Sequence, residues 1–325
     1  MSKKHIAVVM GGYSSEYEIS LKSGQTVCEN LNPNKYHIYP VYITSDGWFY
    51  AGSKKNKVEI NKTDFSFIVN NQIIKPDAVY NTIHGTPGED GILQAYFKLL
   101  NIPQTSPDFY PAALSFNKRD CLSVLKKYGI KCATSFYLNK GEEYSIDTII
   151  SQVGLPCFVK PNRAGSSFGV SKVYRVEDFK KALELAFTED TEILIETALT
   201  GIEVSVGVYN NRNKIITLPP TEIVSEGDFF DYEAKYLGKS QEITPARISK
   251  EETQHVLTEA KRIYKLLNMK GITRTDFIIQ DGKPYFIEIN TNPGLSKESI
   301  VPKQVLESGM ALSRFFDILI QNILS

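Results

Sequence analysis

The chain lacks an excess of charge of either sign: Lys+Arg and Asp+Glu both number 37. A formally neutral chain has no global field with which to hold a polyanion or an anionic bilayer, so neither nucleic acid nor membrane is expected as a partner. It also lacks paired cysteines. Cys28, Cys121, Cys132 and Cys157 are scattered, with no C-x-x-C and no metal-ligand spacing. That excludes a zinc ribbon or a disulfide framework and fits reduced thiols in the cytosol. No apolar run reaches the ~20 residues of a membrane span. The start, MSKKHIAVVMGG, has only five apolar residues between its lysines and Gly11-Gly12, too few for a secretory leader. The expected location is cytoplasmic. Any phosphate chemistry must rest on local clusters of charge.

What is present is an ordinary globular composition, 42% hydrophobic and 23% charged over 325 residues, enough for two or three domains. Ile6–Met10 reads as a buried parallel strand closed by Gly-Gly. Ser15 with Glu18 forms a capping-box pattern, predicting a helix to about Leu31. Tyr36–Ile43 and Ala78–Ile83 read as strands. Gly91–Leu100 reads as a helix capped by Asp90. This alternation predicts a small open α/β domain over 1–107. A second α/β unit, 108–194, is expected from a helix over Pro111–Tyr128, strands at Cys157–Lys160, Val170–Val176 and Glu192–Glu196, and a helix over Asp178–Ala186. In the third, 195–325, strands Glu203–Tyr209, Lys214–Leu218, Arg274–Gln280 and Tyr285–Asn290 surround a helix at Lys250–Leu267. Ser225–Pro245 is charged and weakly periodic, predicting a long mobile loop; such loops inside compact domains are usually functional.

The strongest chemical signal is "TRTDFIIQDGKPYFIEINTNPG", two strands joined at Asp281-Gly282. Glu288 and Asn290, two apart, share one face, and Ile287 and Ile289 share the other. With an odd loop centred on Gly282, Asp276 would face Glu288. Two carboxylates and an amide make an all-oxygen site suited to Mg²⁺ and nucleotide phosphates; a solvated polar face is the plainer alternative. "FVKPNRAGSSFGVSKV" is neither a Walker loop nor a dinucleotide fingerprint. It is a Gly-rich hairpin whose backbone N–H groups would lie over phosphates with Lys160 beside them, or else a simple flexible turn. "DYEAKY" in the long loop places Lys235 and Tyr236 either on a solvated surface or in a lid over a site. "GGYSSEYEIS" and "HGTPGEDG" are strand-to-helix turns, where Glu16 reads as a helix-start acid and His84 as a structural histidine.

The order of these motifs is the decisive feature. "GGYSSEYEIS", "HGTPGEDG", Lys118, "KPNRAGSSFGV", "DYEAKY", "RTDF" and "EINTNPGLSKESIVP" together resemble the D-alanine–D-alanine ligase family of the ATP-grasp superfamily, from residue 6 to about 302. The resemblance implies an ATP-grasp fold preceded by a small α/β domain, and ATP-dependent joining of two D-alanines through D-alanyl phosphate for peptidoglycan synthesis. It implies that Lys118, Lys160 and Lys235 contact ATP phosphates, Glu196 the adenine amino group and Glu203 the ribose. Asp276, Glu288 and Asn290 would hold two Mg²⁺ ions, with Mn²⁺ an alternative. Glu16 would pair with the ammonium of the first D-alanine, near His84, and Ser166 and Tyr236 would hydrogen-bond with Glu16. Ser299 and Ile300 would face the second D-alanine, and Arg274 and Gly294 the tetrahedral centre. A homodimer is implied as well.

Two positions depart from the family pattern: Ala198, where relatives often carry a large aromatic, and Ile300, where leucine is common. Neither removes a charged group. The nearest rival is a D-alanine–D-lactate ligase, which tends to have phenylalanine at the position of Tyr236. The rival from another class is a non-catalytic ATP-binding protein, which would have lost a metal ligand or a phosphate lysine.

Overall fold

The structure is a computed structural model that describes residues 3–52, 57–165, 168–225 and 240–325. Three sheets make up its frame. In the first, β1 (Lys4–Gly11) and β2 (Tyr36–Thr44) run parallel, and β3 (Gly47–Ala51) and β4 (Lys57–Glu59) add antiparallel strands at one edge. A separate hairpin, β5 (Phe67–Val69) and β6 (Gln72–Ile74), precedes β7 (Ala78–Asn81), giving the order β4-β3-β2-β1-β7. From Ile6 to Met10 β1 is apolar because both its faces are covered there. Ile6, Val8 and Met10 meet Phe315 and Phe316 of the C-terminal helix Leu312–Leu324. Ala7 and Val9 meet Phe65 and Phe97.

The predicted capping box does not form. The first helix is Tyr17–Asn30 with Glu16 at its N-cap and no side-chain cap. Ser14, not Ser15, orders the turn: its hydroxyl donates to the His84 carbonyl at 2.9 Å and accepts from the Glu16 N–H at 3.3 Å. The next helix, Ile92–Leu99, begins after Gly91, and Asp90 accepts from the Ile92 N–H at 3.1 Å. The single helix expected over Pro111–Tyr128 is two, Phe109–Phe116 and Lys118–Lys127. Asn117 leaves the helical region (φ −85°, ψ 101°) and its side chain caps the second helix through the Asp120 N–H, as a short polar side chain does at an N-cap.

The second sheet is antiparallel, ordered β10 (Ser171–Val173), β9 (Cys157–Pro161), β11 (Glu192–Thr197), β8 (Ser135–Asn139). Helices Ile146–Val153 and Phe179–Glu189 cover it through Ile149, Val153, Phe179 and Leu183. The third comprises β12 (Ile202–Asn211), β13 (Lys214–Thr217), β14 (Thr221–Ser225), β15 (Ser240–Ile243), β16 (Ile272–Gln280) and β17 (Lys283–Asn290), ordered β15-β14-β12-β16-β17 with β13 on β12. Helix Lys250–Leu266 seals one face with Val256, Ala260 and Ile263, after a true capping box between Ser249 and Glu252. Part of the expected long loop is strand: Ser240–Ile243 pairs with Thr221–Ser225. Lys235 and Tyr236, like Ser166, lie outside the described residues. Among the described residues no helix is long and apolar enough to cross a membrane.

Candidate active site

The site is organised by an irregularity in the β16–β17 hairpin. Asp281 and Gly282 both have positive φ (52° and 69°), the backbone of a two-residue turn matched to strand twist. From it the ladder pairs Gln280 with Lys283, and so on to Phe277 with Phe286. Continued regularly, that register would set Asp276 opposite Ile287 and turn Glu288 toward the core beside Thr275. Instead the register shifts between Asp276 and Phe277: Ile287 has no partner, Asp276 faces Glu288, and Arg274 faces Asn290. The loop is even, not odd as the sequence argument required, and a β-bulge supplies the missing residue. Phe286 and Ile289 therefore both reach the core cluster, so Ile287 and Ile289 do not form the shared face that simple alternation predicts.

Across this hairpin charges are closely matched. Arg274 donates to Asp276 through Nε at 2.9 Å and Nη2 at 2.8 Å, and Ser205 Oγ donates to Asp276 Oδ1 at 2.6 Å. Asn290 Nδ2 lies 3.2 Å from Asp276 Oδ2 and 3.5 Å from Glu288 Oε1. Lys118 Nζ is 3.6 Å from Glu288 and donates to the Ala164 carbonyl at 2.7 Å. The donor set is all oxygen and fits a hard divalent cation, with phosphate oxygens and water needed to complete its shell. Among the described residues no group of three or more His, Cys, Asp or Glu could hold a metal. Asp276, Glu288 and Asn290 offer two carboxylates and one amide, too few oxygens to fill the shell of such an ion alone.

A cavity of about 540 Å³ opens beside the hairpin, lined by Glu16, His84, Lys118, Arg274, Glu288 and Asn290 and also by Gly294, Ser299 and Ile300. Glu16 presses on the Gly-rich loop so closely that a Cβ at Gly165 would lie 2.5 Å from its Oε2. Likewise a Cβ at Gly294 would lie 2.7 Å from Ser299 Oγ. His84 is buried, with Ser23 Oγ 3.2 Å from its Nε2. Burial pushes its pKa down, against the pull of the Glu16 charge. Lys160 and Glu196, on neighbouring strands β9 and β11, are both buried and ion-paired with each other. They and Glu203, on β12 beside Ile223 and Ile278, do not line this cavity.

Two family models match the chain: the D-ala D-ala ligase N-terminus over residues 5–107 and the D-ala D-ala ligase C-terminus over 124–321. The D-alanine–D-alanine ligase of Flavobacterium johnsoniae is 56% identical over 96% of this chain and 97% of its own length. That of Christiangramia forsetii is 54% identical over 97% of this chain and 96% of its own. The chain belongs to the D-alanine–D-alanine ligase family. Among solved structures it is similar to the D-Ala:D-Ser ligase VanG from Enterococcus faecalis, with TM-score 0.89 and 35% identity over 99% of this chain and 100% of that one. D-alanyl-alanine synthetase A from Vibrio cholerae gives TM-score 0.89 and 29% identity over 100% of this chain and 99% of that one. The fold is thus ATP-grasp preceded by an open-sheet α/β domain, and ligases of this family use ATP and a divalent metal.

Within this ligase fold, sequence reasoning missed two residues that join the sheets at the cavity. Buried Glu89 accepts from the Gly85 N–H at 2.9 Å through Oε2, and from Thr291 and Asn292 N–H groups at 3.1 and 2.9 Å through Oε1. Burial, then the Glu16 charge, pushes its carboxyl up to about 7, against those three N–H donors. Asn292 donates to the Ile83 and Gly88 carbonyls at 3.1 and 2.7 Å and accepts from Ser106 Oγ at 2.6 Å. Both stand in motifs already singled out. Yet Glu89 reads as an ordinary acid before a helix, and Asn292 as a turn residue.

Proposed function

We propose that this ligase joins two D-alanine molecules into D-alanyl-D-alanine with hydrolysis of ATP to ADP and phosphate. The observation that carries the reading is the bulged hairpin, which sets Asp276 opposite Glu288 and Arg274 opposite Asn290 beside a cavity shared with Glu16 and His84. Asp276, Glu288 and Asn290 would hold Mg²⁺, with Mn²⁺ an alternative, and the ions when bound would neutralise phosphate charge. Lys118, Lys160 and Lys235 would meet the phosphates, Glu196 the adenine and Glu203 the ribose. Glu16 receives the ammonium of the first D-alanine, with Ser166 and Tyr236 hydrogen-bonded to it and neutral His84 near the carboxylate. That carboxylate attacks the γ-phosphoryl group, giving D-alanyl phosphate and releasing ADP as the leaving group. The second D-alanine, its carboxylate at Ser299 and its methyl against Ile300, attacks the acyl carbon through its amine; phosphate leaves and the amine loses a proton. Arg274 and the Gly294 N–H stabilise the oxyanion between these events. Positioning and electrostatic stabilisation dominate both steps.

The same reading takes 1–107 as a substrate domain, 108–194 as the central nucleotide subdomain and 195–325 as the subdomain with metal site and lid. It makes the protein a cytoplasmic homodimer that supplies the peptidoglycan precursor. Phosphate release from Mg²⁺–ATP is the test, with D-alanine alone, L-alanine alone, and D-alanine plus D-serine or D-lactate. Release with D-alanine alone, and dipeptide found by mass, is the expected result. A strict requirement for D-serine or D-lactate would move the assignment to another acceptor. Silence in all arms would overturn it.

A further inference from the structure

Arg274 and Asp276 lie two residues apart on β16 and therefore on one face of the sheet. Their contact is a fork: Nε lies 2.9 and 3.2 Å from the two carboxylate oxygens, and Nη2 lies 2.8 Å from Oδ2. Guanidinium geometry matches a carboxylate in this way, and an ammonium cannot reproduce it. Ser205 Oγ and Asn290 Nδ2 take further positions on the same carboxylate, at 2.6 and 3.2 Å. On the facing strand, Glu288 meets Lys118 Nζ at 3.6 Å and Asn290 Nδ2 at 3.5 Å. Each of these neighbours is a donor. Asn290 turns its amide nitrogen, not its oxygen, toward both carboxylates, the reverse of what a cation's shell needs. A buried and a partly buried carboxylate held opposite one another would repel and lose hydration without an internal cation between them.

We propose that Arg274 is a resident stand-in for the divalent cation, covering the Asp276 carboxylate until the ion displaces it and releases the guanidinium toward the substrate. The inference rests on the metal site proposed above. Ser205, Asn290 and the guanidinium together fill the acceptor positions of the Asp276 carboxylate, so an ion binding there must displace a donor, and the exchange displaces the guanidinium. The exchange puts a doubly charged ion where a singly charged group stood, and it requires the Arg274 side chain to swing away and the Asn290 amide to turn its oxygen inward. Two consequences follow. The ion alone binds weakly, because it competes with a tethered rival at high effective concentration. And the guanidinium that would stabilise the tetrahedral centre becomes available only once the metal is seated, which orders the assembly of the site.

The test is titration of the full-length protein with Mn²⁺ alone, followed by the paramagnetic resonance of free Mn²⁺, for wild type, Arg274→Met, Arg274→Lys and Asp276→Asn. Loss of charge-assisted hydrogen bonds of this kind should tighten Mn²⁺ binding in Arg274→Met by about ten- to hundredfold. Arg274→Lys, which keeps the charge but not the fork, should fall between it and wild type. Tightening in Arg274→Met with Arg274→Lys equal to wild type would reduce the effect to charge repulsion through space and overturn the proposal. Unchanged or weaker binding in Arg274→Met would overturn it as well. Wild-type protein gives an answer independent of any variant's folding: the Arg274 Nε–H, protected from solvent exchange by Asp276, should lose protection on adding Mg²⁺. Retained protection at saturation overturns the proposal. Failure of the metal site itself would look different, as Mn²⁺ binding indifferent to Asp276→Asn.

Discussion

Two junctions between the first sheet and the rest of the chain are built from opposite materials. At the C-terminal helix Leu312–Leu324 the contact is mainly apolar: Phe315 and Phe316 fill the face formed by Val8, Met10 and Tyr80. An acid, Asp317, then accepts from Tyr36 OH at 2.6 Å and Lys35 Nζ at 2.9 Å. At the cavity the contact is polar and addressed to particular backbone atoms, through Glu89 and Asn292. Apolar burial is strong and non-directional, whereas a buried hydrogen bond adds little net energy and fixes a position. The helix junction should therefore supply the adhesion. The cavity junction should supply the alignment of the loop that carries Gly294 and Ser299. Strength and registration are divided between two places.

That division can be broken or sharpened in steps. Phe316→Ala should have the largest effect, a loss of about 3–5 kcal/mol in unfolding free energy, with turnover per folded molecule unchanged. Denaturant melts beside active-site titration measure both, and a parallel fall in turnover would break the comparison. Asn292→Ala should do the reverse. The Ile83 carbonyl and the Ser106 hydroxyl would lose Asn292 as a partner, whereas the Gly88 carbonyl keeps Asn81 and Gln94; the cost is about 1–3 kcal/mol, while misalignment of the loop lowers turnover by roughly 10²-fold. Asp317→Asn should cost about 1–2 kcal/mol at neutral pH. Although burial works against it, the bonds from Tyr36 and Lys35 hold the Asp317 carboxyl below its ordinary value. Its contribution is present above the usual carboxylate range and lost as pH falls through its folded value, so wild type and variant should converge in acid.

Glu89 has the opposite sign. Its folded value of about 7 lies above the ordinary ~4.3 of a free glutamate. The stability it adds is full below the free value and fades as pH rises through about 7. Urea midpoints at pH 5 and pH 8 should differ less in Glu89→Gln than in wild type; an equal difference would remove Glu89 as the source. The smallest effect belongs to Lys4→Ala. Its pair with Asp77 at 2.8 Å lies at the half-exposed edge of β1, and its loss should cost less than about 1 kcal/mol.

Much of this molecule was legible in residue order because its main elements obey local rules. The apolar run at Ile6–Met10, the Asp281-Gly282 turn and the 3.6-residue rhythm of Lys250–Leu266 each carry their structure within a short window. What escaped depends on partners distant in sequence, or on a residue with two uses. Asn117 ends one helix and starts another, which apolar periodicity cannot register. The strands Gly47–Ala51 and Lys57–Glu59 are short edge elements, though Trp48, Phe49 and Tyr50 carry a β signal. Glu89 gains its significance from the backbone of Thr291 and Asn292, some two hundred positions on. The motifs that carry Glu16, His84, Arg274, Glu288, Asn290 and Ser299 are visible in the sequence and meet around one cavity, whereas the contact between Arg274 and Asp276 is not visible there.

The unpartnered Ile287 gives β17 an unusual tolerance to editing. A strand cannot ordinarily lose one residue, because everything beyond the cut swaps faces. Here the chain is one residue longer than its turn demands. Excising Ile287 would leave Phe277 with Phe286, Asp276 with Glu288 and Arg274 with Asn290, now in a regular ladder. Excising Tyr285 instead would uncouple the aromatic pair from the turn. A single-residue deletion series from Tyr285 to Asn290 should thus show one permissive position among intolerant neighbours, and what the extra residue adds is the local bend and twist with which the acids meet their substrates.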